Sequence, residues 1–109
     1  MEEQHFVSPD GALRLLVLVQ DGDITIGFDG FAWHTHGDIL GEIGAMTPDA
    51  ATDQFIADLF SNKLVIAVRA QRGQVQDVWV SDDPASDRLN CLEGEIIEFR
   101  TWDGTAVLI

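Results

Sequence analysis

The feature of this sequence that most limits its fold is a series of short apolar segments separated by turn signals. The clearest of these signals are Ser8-Pro9-Asp10-Gly11, Asp21-Gly22-Asp23, Asp29-Gly30, Arg72-Gly73 and Asp103-Gly104. Glycine accepts the positive φ that tight turns require, and proline presets φ at the first central position of a turn. Short apolar segments bounded in this way are typical of antiparallel hairpins.

Most of the apolar segments have the composition of β-strands. Residues 13–20 are apolar on both faces in their middle, which favours a central strand covered on one side by a helix and on the other by another element. Ile24, Ile26 and Phe28 alternate with polar or small residues, as in a strand with one buried face. Further strands are predicted at 4–7, 31–34, 64–71, 75–80, 95–102 and 105–109.

One segment has a clear helical pattern. Thr47 is a suitable N-cap, Pro48 fits the first helical position, and Asp49 complements the positive end of the helix dipole. An apolar stripe follows at helical spacing, formed by Phe55, Ile56, Leu59 and Phe60. The pattern predicts a main helix over about residues 48–61. A shorter, irregular helix is expected from Asp38, with an apolar face of Ile39, Leu40, Ile43 and Met46.

The sum of these elements predicts the fold class. We expect an α+β protein with a mainly antiparallel sheet built of hairpins and packed on one main helix. The 109 residues are enough for a single domain, residues 1–109. Alternating βαβ units with phosphate-binding glycines do not occur in the sequence, which argues against a doubly wound nucleotide-binding fold.

Charge is the second strong property of the chain. Its 19 acidic and 6 basic residues give a formal net charge of −13. Residues 1–62 contain 11 of the acids and a single base, Arg14. Binding to nucleic acid or to anionic lipid is therefore not expected, since both need lysine and arginine. A basic protein partner fits this charge, because an acidic surface attracts a cationic protein over a long range.

The segment from Phe31 to Asp38 is the best candidate for a chemical site. His34 and His36 are two residues apart and would share one side of an extended strand, with Asp38 next on that side if the strand continued. Two imidazoles and a carboxylate are suitable ligands for a divalent metal. They would also suit a small-ligand or acid–base site. The third alternative is an ordinary turn in which the histidines only bond to neighbouring groups.

Tryptophan positions suggest where a partner could bind. Trp33 lies within the histidine segment, and Trp102 lies beside the turn at Asp103-Gly104, where we expect it to be exposed. Tryptophan is enriched at binding hot spots, so both are candidate interface residues. The expected edge strands and the apolar segment 106–109 also favour a homodimer.

Two functional hypotheses remain. The first is a small acidic protein-interaction module that neutralises or regulates a basic partner protein. The alternative is a small metal- or ligand-binding protein or enzyme with its site at His34, His36 and Asp38. Because the sequence contains no recognised catalytic motif, the first is favoured, with no cofactor expected unless the histidine site binds a divalent metal. The acidic start lacks signal-peptide features, and no apolar run is long enough to span a bilayer, so a cytoplasmic location is expected.

Overall fold

Ten elements follow one another along the chain in the computed structural model, which describes all of residues 1–109. In order, they are β1 (Glu2–Val7), β2 (Arg14–Gln20), β3 (Asp23–Phe28), β4 (His34–His36), α1 (Gly37–Gly44), α2 (Pro48–Phe60), β5 (Val65–Gln71), β6 (Gln74–Ser81), α3 (Pro84–Leu89) and β7 (Glu95–Arg100). None of the helices combines the length and the apolar character needed to cross a membrane.

The strands form two antiparallel sheets. The first sheet has the order β1-β2-β3-β4 and the second has the order β6-β5-β7. The predicted α+β class with hairpin-connected strands is confirmed. The expectation of one sheet on one main helix is only partly right. Helices α1 and α2 interrupt the meander after β4, so β5 starts a second sheet and does not extend the first.

One hydrophobic core joins both sheets. Residues of alternate positions on β2 and β3 point inward, as expected for strands with one buried face. The core also receives one residue from the turn before β2, one from α2, one from each of β5 and β6, and one from the segment after β7. Its ten members are Leu13, Leu15, Val17, Ile24, Ile26, Phe28, Leu59, Ile66, Val78 and Trp102.

Helix α2 matches its prediction closely. The hydroxyl of Thr47 accepts a hydrogen bond from the backbone N–H of Ala50 at 3.2 Å, and Pro48 begins the helix. Leu59 is completely buried, and the rest of the predicted stripe packs against the core. Phe60 stacks on Trp102 with ring centroids 5.0 Å apart. The cap at Thr47 and the apolar stripe therefore both stabilise this helix, and both can be recognised in the sequence.

Helix α1 differs from its prediction in two ways. It begins at Gly37, with His36 and not Asp38 at the N-cap position, and no side chain caps it. Of its predicted apolar face only Leu40 packs against the core, while Ile43 is 81% exposed. The helix lies close to the chain that follows it: a Cβ on Gly41 would be 2.7 Å from the Met46 carbonyl oxygen. Glycine at this position permits that approach.

Three smaller differences concern segments with weak local signals. The strand predicted at 31–34 begins only at His34. The strand predicted at 105–109 is reduced to a single bridge between Arg100 and Ala106. Residues 84–89, for which no helix is predicted, form α3, with the Asp83 carboxylate accepting from the Ser86 N–H. The pair Asp83-Pro84 is the same type of helix start as Thr47-Pro48, so a local signal for α3 was present.

An ion pair at the surface links the two sheets. The guanidinium of Arg100, on β7, donates to both carboxylate oxygens of Asp10, between β1 and β2, at 2.8 and 3.0 Å. The Ser8 hydroxyl donates to the same carboxylate at 2.7 Å. These hydrogen bonds, chiefly that from Arg100, hold the pKa of Asp10 far below its ordinary value. Gly104 passes so close that a Cβ there would be 2.8 Å from Asp10 Oδ2.

Candidate functional site

The first sheet has one face turned away from the core, and this outer face contains all three histidines of the chain. The strand register aligns its side chains in two rows that each cross all four strands. The first row is His5, Leu16, Gly27 and His34, and the second is Glu3, Leu18, Thr25 and His36. We call these eight residues the outer face.

The centre of the outer face is apolar, and no helix or strand packs over it. Leu16 and Leu18 are half-buried and do not belong to the core. They line a shallow open depression of about 270 Å³, bordered by the loop from Asp29 to Trp33 and by the histidines of β4. The expectation that β2 would be covered on both sides is therefore wrong for this side, since the helices and the second sheet pack only against its inner face.

His34 and His36 lie side by side at the edge of the depression, as their spacing predicts for an extended strand. Their ring centroids are 5.1 Å apart and their planes are nearly perpendicular. His34 Nδ1 lies 3.0 Å from the Ala32 carbonyl oxygen. His36 Nδ1 lies 3.3 Å from the Thr25 hydroxyl oxygen and 3.4 Å from Asp23 Oδ1. Each ring is thus held at one nitrogen by a neighbouring oxygen.

Asp38 does not join the two histidines. Because β4 ends at His36 and α1 begins at Gly37, the alternation that would have placed Asp38 beside them stops. Its carboxylate instead accepts a hydrogen bond from the backbone N–H of Ile39 at 2.9 Å. No group of three or more His, Cys, Asp or Glu side chains in the structure has the arrangement needed to hold a metal ion. The histidine pair alone offers two ligands.

Sequence reasoning missed several residues of this face. His5, on β1, lies in the same row as His34 and bonds to Glu3 at 2.7 Å, with β2 and β3 between it and the β4 pair. Asp23 and Thr25 face His36 because β3 pairs with β4. No local pattern relates these positions; only the pairing of strands brings them together. The even-numbered apolar residues of β2 were the available signal, because they place apolar side chains on the second face of the strand.

The two candidate interface tryptophans have different environments. Trp33 is half-buried, borders the depression and packs on Phe28 with ring centroids 6.0 Å apart. Trp102 is only 5% exposed, so the expectation that it would be exposed is wrong. It fills the core because its ring stacks on Phe60 of α2. Its position next to a turn was a poor guide to exposure, since the chain enters the core just before that turn.

A larger depression, of about 590 Å³, lies beside β7 and the segment 104–109. Its two arginines already have partners: Arg100 bonds to Asp10, and Arg88 donates to the Ile109 carbonyl oxygen. No pair of side chains suited to proton transfer or nucleophilic attack lines this depression. The outer face is therefore the better candidate for function.

The charge around the outer face is mainly negative. Glu3 belongs to it, Asp23 contacts His36, and Asp29 borders the depression. The single base among the first 62 residues is Arg14, at one end of β2. Comparison of the chain with protein-family models, with curated proteins and with solved structures finds no match. The function must therefore be inferred from this geometry.

Proposed function

We propose that this protein is a small acidic interaction module whose outer face docks on a basic partner protein and neutralises or regulates it. The observation that supports the proposal most directly is the position of Leu16 and Leu18. Both leucines are half-buried, with no helix or strand packed over them, at the centre of a sheet face that has carboxylates around it. Apolar groups at the centre with charged groups at the rim are the usual composition of a protein–protein interface.

Charge complementarity selects the kind of partner. The excess of carboxylates in residues 1–62 would steer a cationic surface toward the first sheet, while Glu3 and Asp23 would meet its lysines or arginines at the rim. Trp33 would add an aromatic contact at the border of the depression. Trp102 is buried and takes no direct part. No catalytic group is needed for this function.

The cytoplasmic location expected from the sequence is part of this proposal. Association of two copies through the outer face is the competing use of the same surface, and the experiment below separates the two.

The test compares two matched double variants. Leu16→Thr/Leu18→Thr makes the outer face polar, and Val75→Thr/Ile96→Thr changes two exposed apolar strand residues of the second sheet in the same way. Threonine suits a strand, so both variants should fold. Each protein is used to capture partners at low salt; a captured basic protein is identified, purified and titrated by calorimetry.

We expect the wild-type protein and the second-sheet variant to bind the basic protein equally. The outer-face variant should bind at least tenfold more weakly, and wild-type binding should weaken steeply with added salt because exposed charges are screened. Equal affinity of the two variants would contradict the proposal, as would a partner that is not basic. A wild-type dimer that the outer-face variant converts to a monomer, measured by light scattering, would assign the face to self-association and make the proposal wrong.

A further inference from the structure

We infer that His34 and His36 form a binding site for one divalent transition-metal ion, held through their two Nε2 atoms. This site does not depend on the docking proposal. It uses two of the three residues that the sequence suggested and does not include Asp38. Asp23 and Thr25 hold the ring of His36 in place and do not bind the ion themselves.

The first argument is the position of the imidazole protons. A carbonyl oxygen can only accept a hydrogen bond, so the contact with Ala32 requires His34 to have its proton on Nδ1. The Thr25 hydroxyl donates to Asp23 Oδ2 at 3.2 Å, and its oxygen is then available to accept from His36 Nδ1. With these contacts, the neutral form of each ring has its free lone pair on Nε2, the atom that would bind a metal ion.

This pattern is the one found around metal-binding histidines. Such histidines donate their other ring N–H to a carboxylate, a backbone carbonyl or a similar acceptor, which fixes the ring and increases the basicity of the ligating nitrogen. His34 has a carbonyl partner, and His36 has a hydroxyl with a carboxylate behind it. The Ala32 carbonyl is local to His34, whereas Thr25 and Asp23 lie on β3, so the orientation of His36 depends on the pairing of β3 with β4.

The second argument is the spacing of the rings. Two imidazoles bound to one tetrahedral ion through nitrogens at about 2.0–2.1 Å have ring centres roughly 5 Å apart. The centroids of His34 and His36 are 5.1 Å apart before any ion binds. Gly27 permits the close pairing of β3 and β4 at this point, because a Cβ there would be 2.9 Å from the Trp33 carbonyl oxygen and 3.3 Å from His34 Cβ.

The chemistry of the ligands indicates the class of ion. Imidazole nitrogen suits zinc, copper and nickel, whereas calcium and magnesium require oxygen ligands. His34 is exposed and the side chain of His36 is 31% exposed, so an ion can reach both. With only two protein ligands, the remaining positions would be occupied by water.

The probe is Zn²⁺ alone, titrated into the isotopically labelled protein and observed through the long-range ¹H–¹⁵N couplings of the imidazoles. Before zinc is added, we expect the spectrum to show the Nδ1-protonated form of His34 and His36. Addition of zinc should shift their Nε2 signals and leave His5 unchanged, with one ion bound per chain by calorimetry. The variant His5→Gln is the matched control, since His5 lies on the same face but pairs with Glu3.

The variant His34→Gln/His36→Gln should bind zinc at least tenfold more weakly, while His5→Gln should keep its affinity within about twofold. Circular dichroism of the metal-free variants verifies that each is folded. Equal zinc affinity in all three proteins would overturn the proposal, because the ion would then be held by surface carboxylates. A metal-free protein with its imidazole protons on Nε2 would overturn it as well. Neither result would affect the docking proposal, which does not use zinc.

Discussion

At the scale of single residues, Asp10 shows how one carboxylate is fixed by several donors. The Arg100 guanidinium and the Ser8 hydroxyl bond to it directly, and the Ala12 N–H bonds to it more weakly at 3.3 Å. All of these contacts favour the ionised form, which explains the lowered pKa of Asp10. The Thr101 hydroxyl lowers the pKa of Asp103 in a similar way, at the turn after β7.

The lowered pKa of Asp10 predicts how stability depends on pH. Its folded-state pKa lies below the unfolded value, so its stabilising contribution is complete above that value and is lost as the pH falls below about 4. We expect Asp10→Asn to be less stable than the wild type at neutral pH and to lose less stability on acidification. Urea unfolding at a series of pH values from neutral to below 4 measures the free energy of unfolding of both proteins.

Asp82→Asn is the matched control, since Asp82 is an exposed carboxylate outside any recorded ion pair. Its unfolding free energy should follow that of the wild type at every pH. If Asp10→Asn and the wild type had parallel pH profiles, the hydrogen bonds from Arg100 would not be maintained in solution.

At the scale of secondary-structure elements, α2 is a helix whose local sequence signals and whose packing against the core favour the same structure. The completely buried Leu59 lies at the centre of the core, and Phe55, Ile56 and Phe60 support it. Asp53 lies on the exposed side of the same helix. The helix therefore offers a sharp contrast between one buried and one exposed position.

Replacing Leu59 with alanine should cost about 2–5 kcal/mol, because it removes apolar contacts and leaves a cavity in a core that relaxes only in part. The matched change Asp53→Ala should alter the unfolding free energy by less than about 0.5 kcal/mol. Denaturant unfolding monitored by tryptophan fluorescence measures both. Near-wild-type stability of Leu59→Ala would mean that α2 does not pack through this side.

The elements also show which parts of the fold the sequence could predict. Helix α2 was predictable because its cap, its proline and its apolar stripe are all local. The hairpin strands were predictable for the same reason, since glycine turns define their ends. The division into two sheets was not, because strand pairing depends on contacts between distant residues. The same limit applies to the site: the histidine pair was visible in the sequence, but Asp23 and Thr25 reach it only through the register of β3 and β4.

At the scale of the whole molecule, the net charge of −13 opposes folding, because it gathers like charges in a small volume. The ion pairs of the structure are few by comparison. Arg100 bonds to Asp10, and Arg69 contacts Glu95 and Asp77 at 3.6 and 4.0 Å. Repulsion should therefore outweigh attraction among the surface charges.

We predict that adding sodium chloride at neutral pH raises the unfolding temperature, since salt screens the net repulsion more than it weakens the few ion pairs. Calorimetry over a salt series measures the effect. The increase should be smaller at about pH 4, where many carboxylates are protonated. An unfolding temperature that falls with salt at neutral pH would show that the ion pairs dominate.

The pairing of Asp10 with Arg100 also bears on how the protein forms. The two residues are 90 positions apart in sequence, and they join sheets that each consist largely of neighbouring hairpins. Hairpins close early because their loops are short, whereas a contact over such a separation must wait for the intervening chain. During synthesis the first sheet can therefore form well before the ion pair between Asp10 and Arg100 does. The inner face of this sheet, which the rest of the chain covers in the folded protein, would be exposed throughout that interval, so the nascent chain would be most vulnerable to misassociation just before its last strand is added.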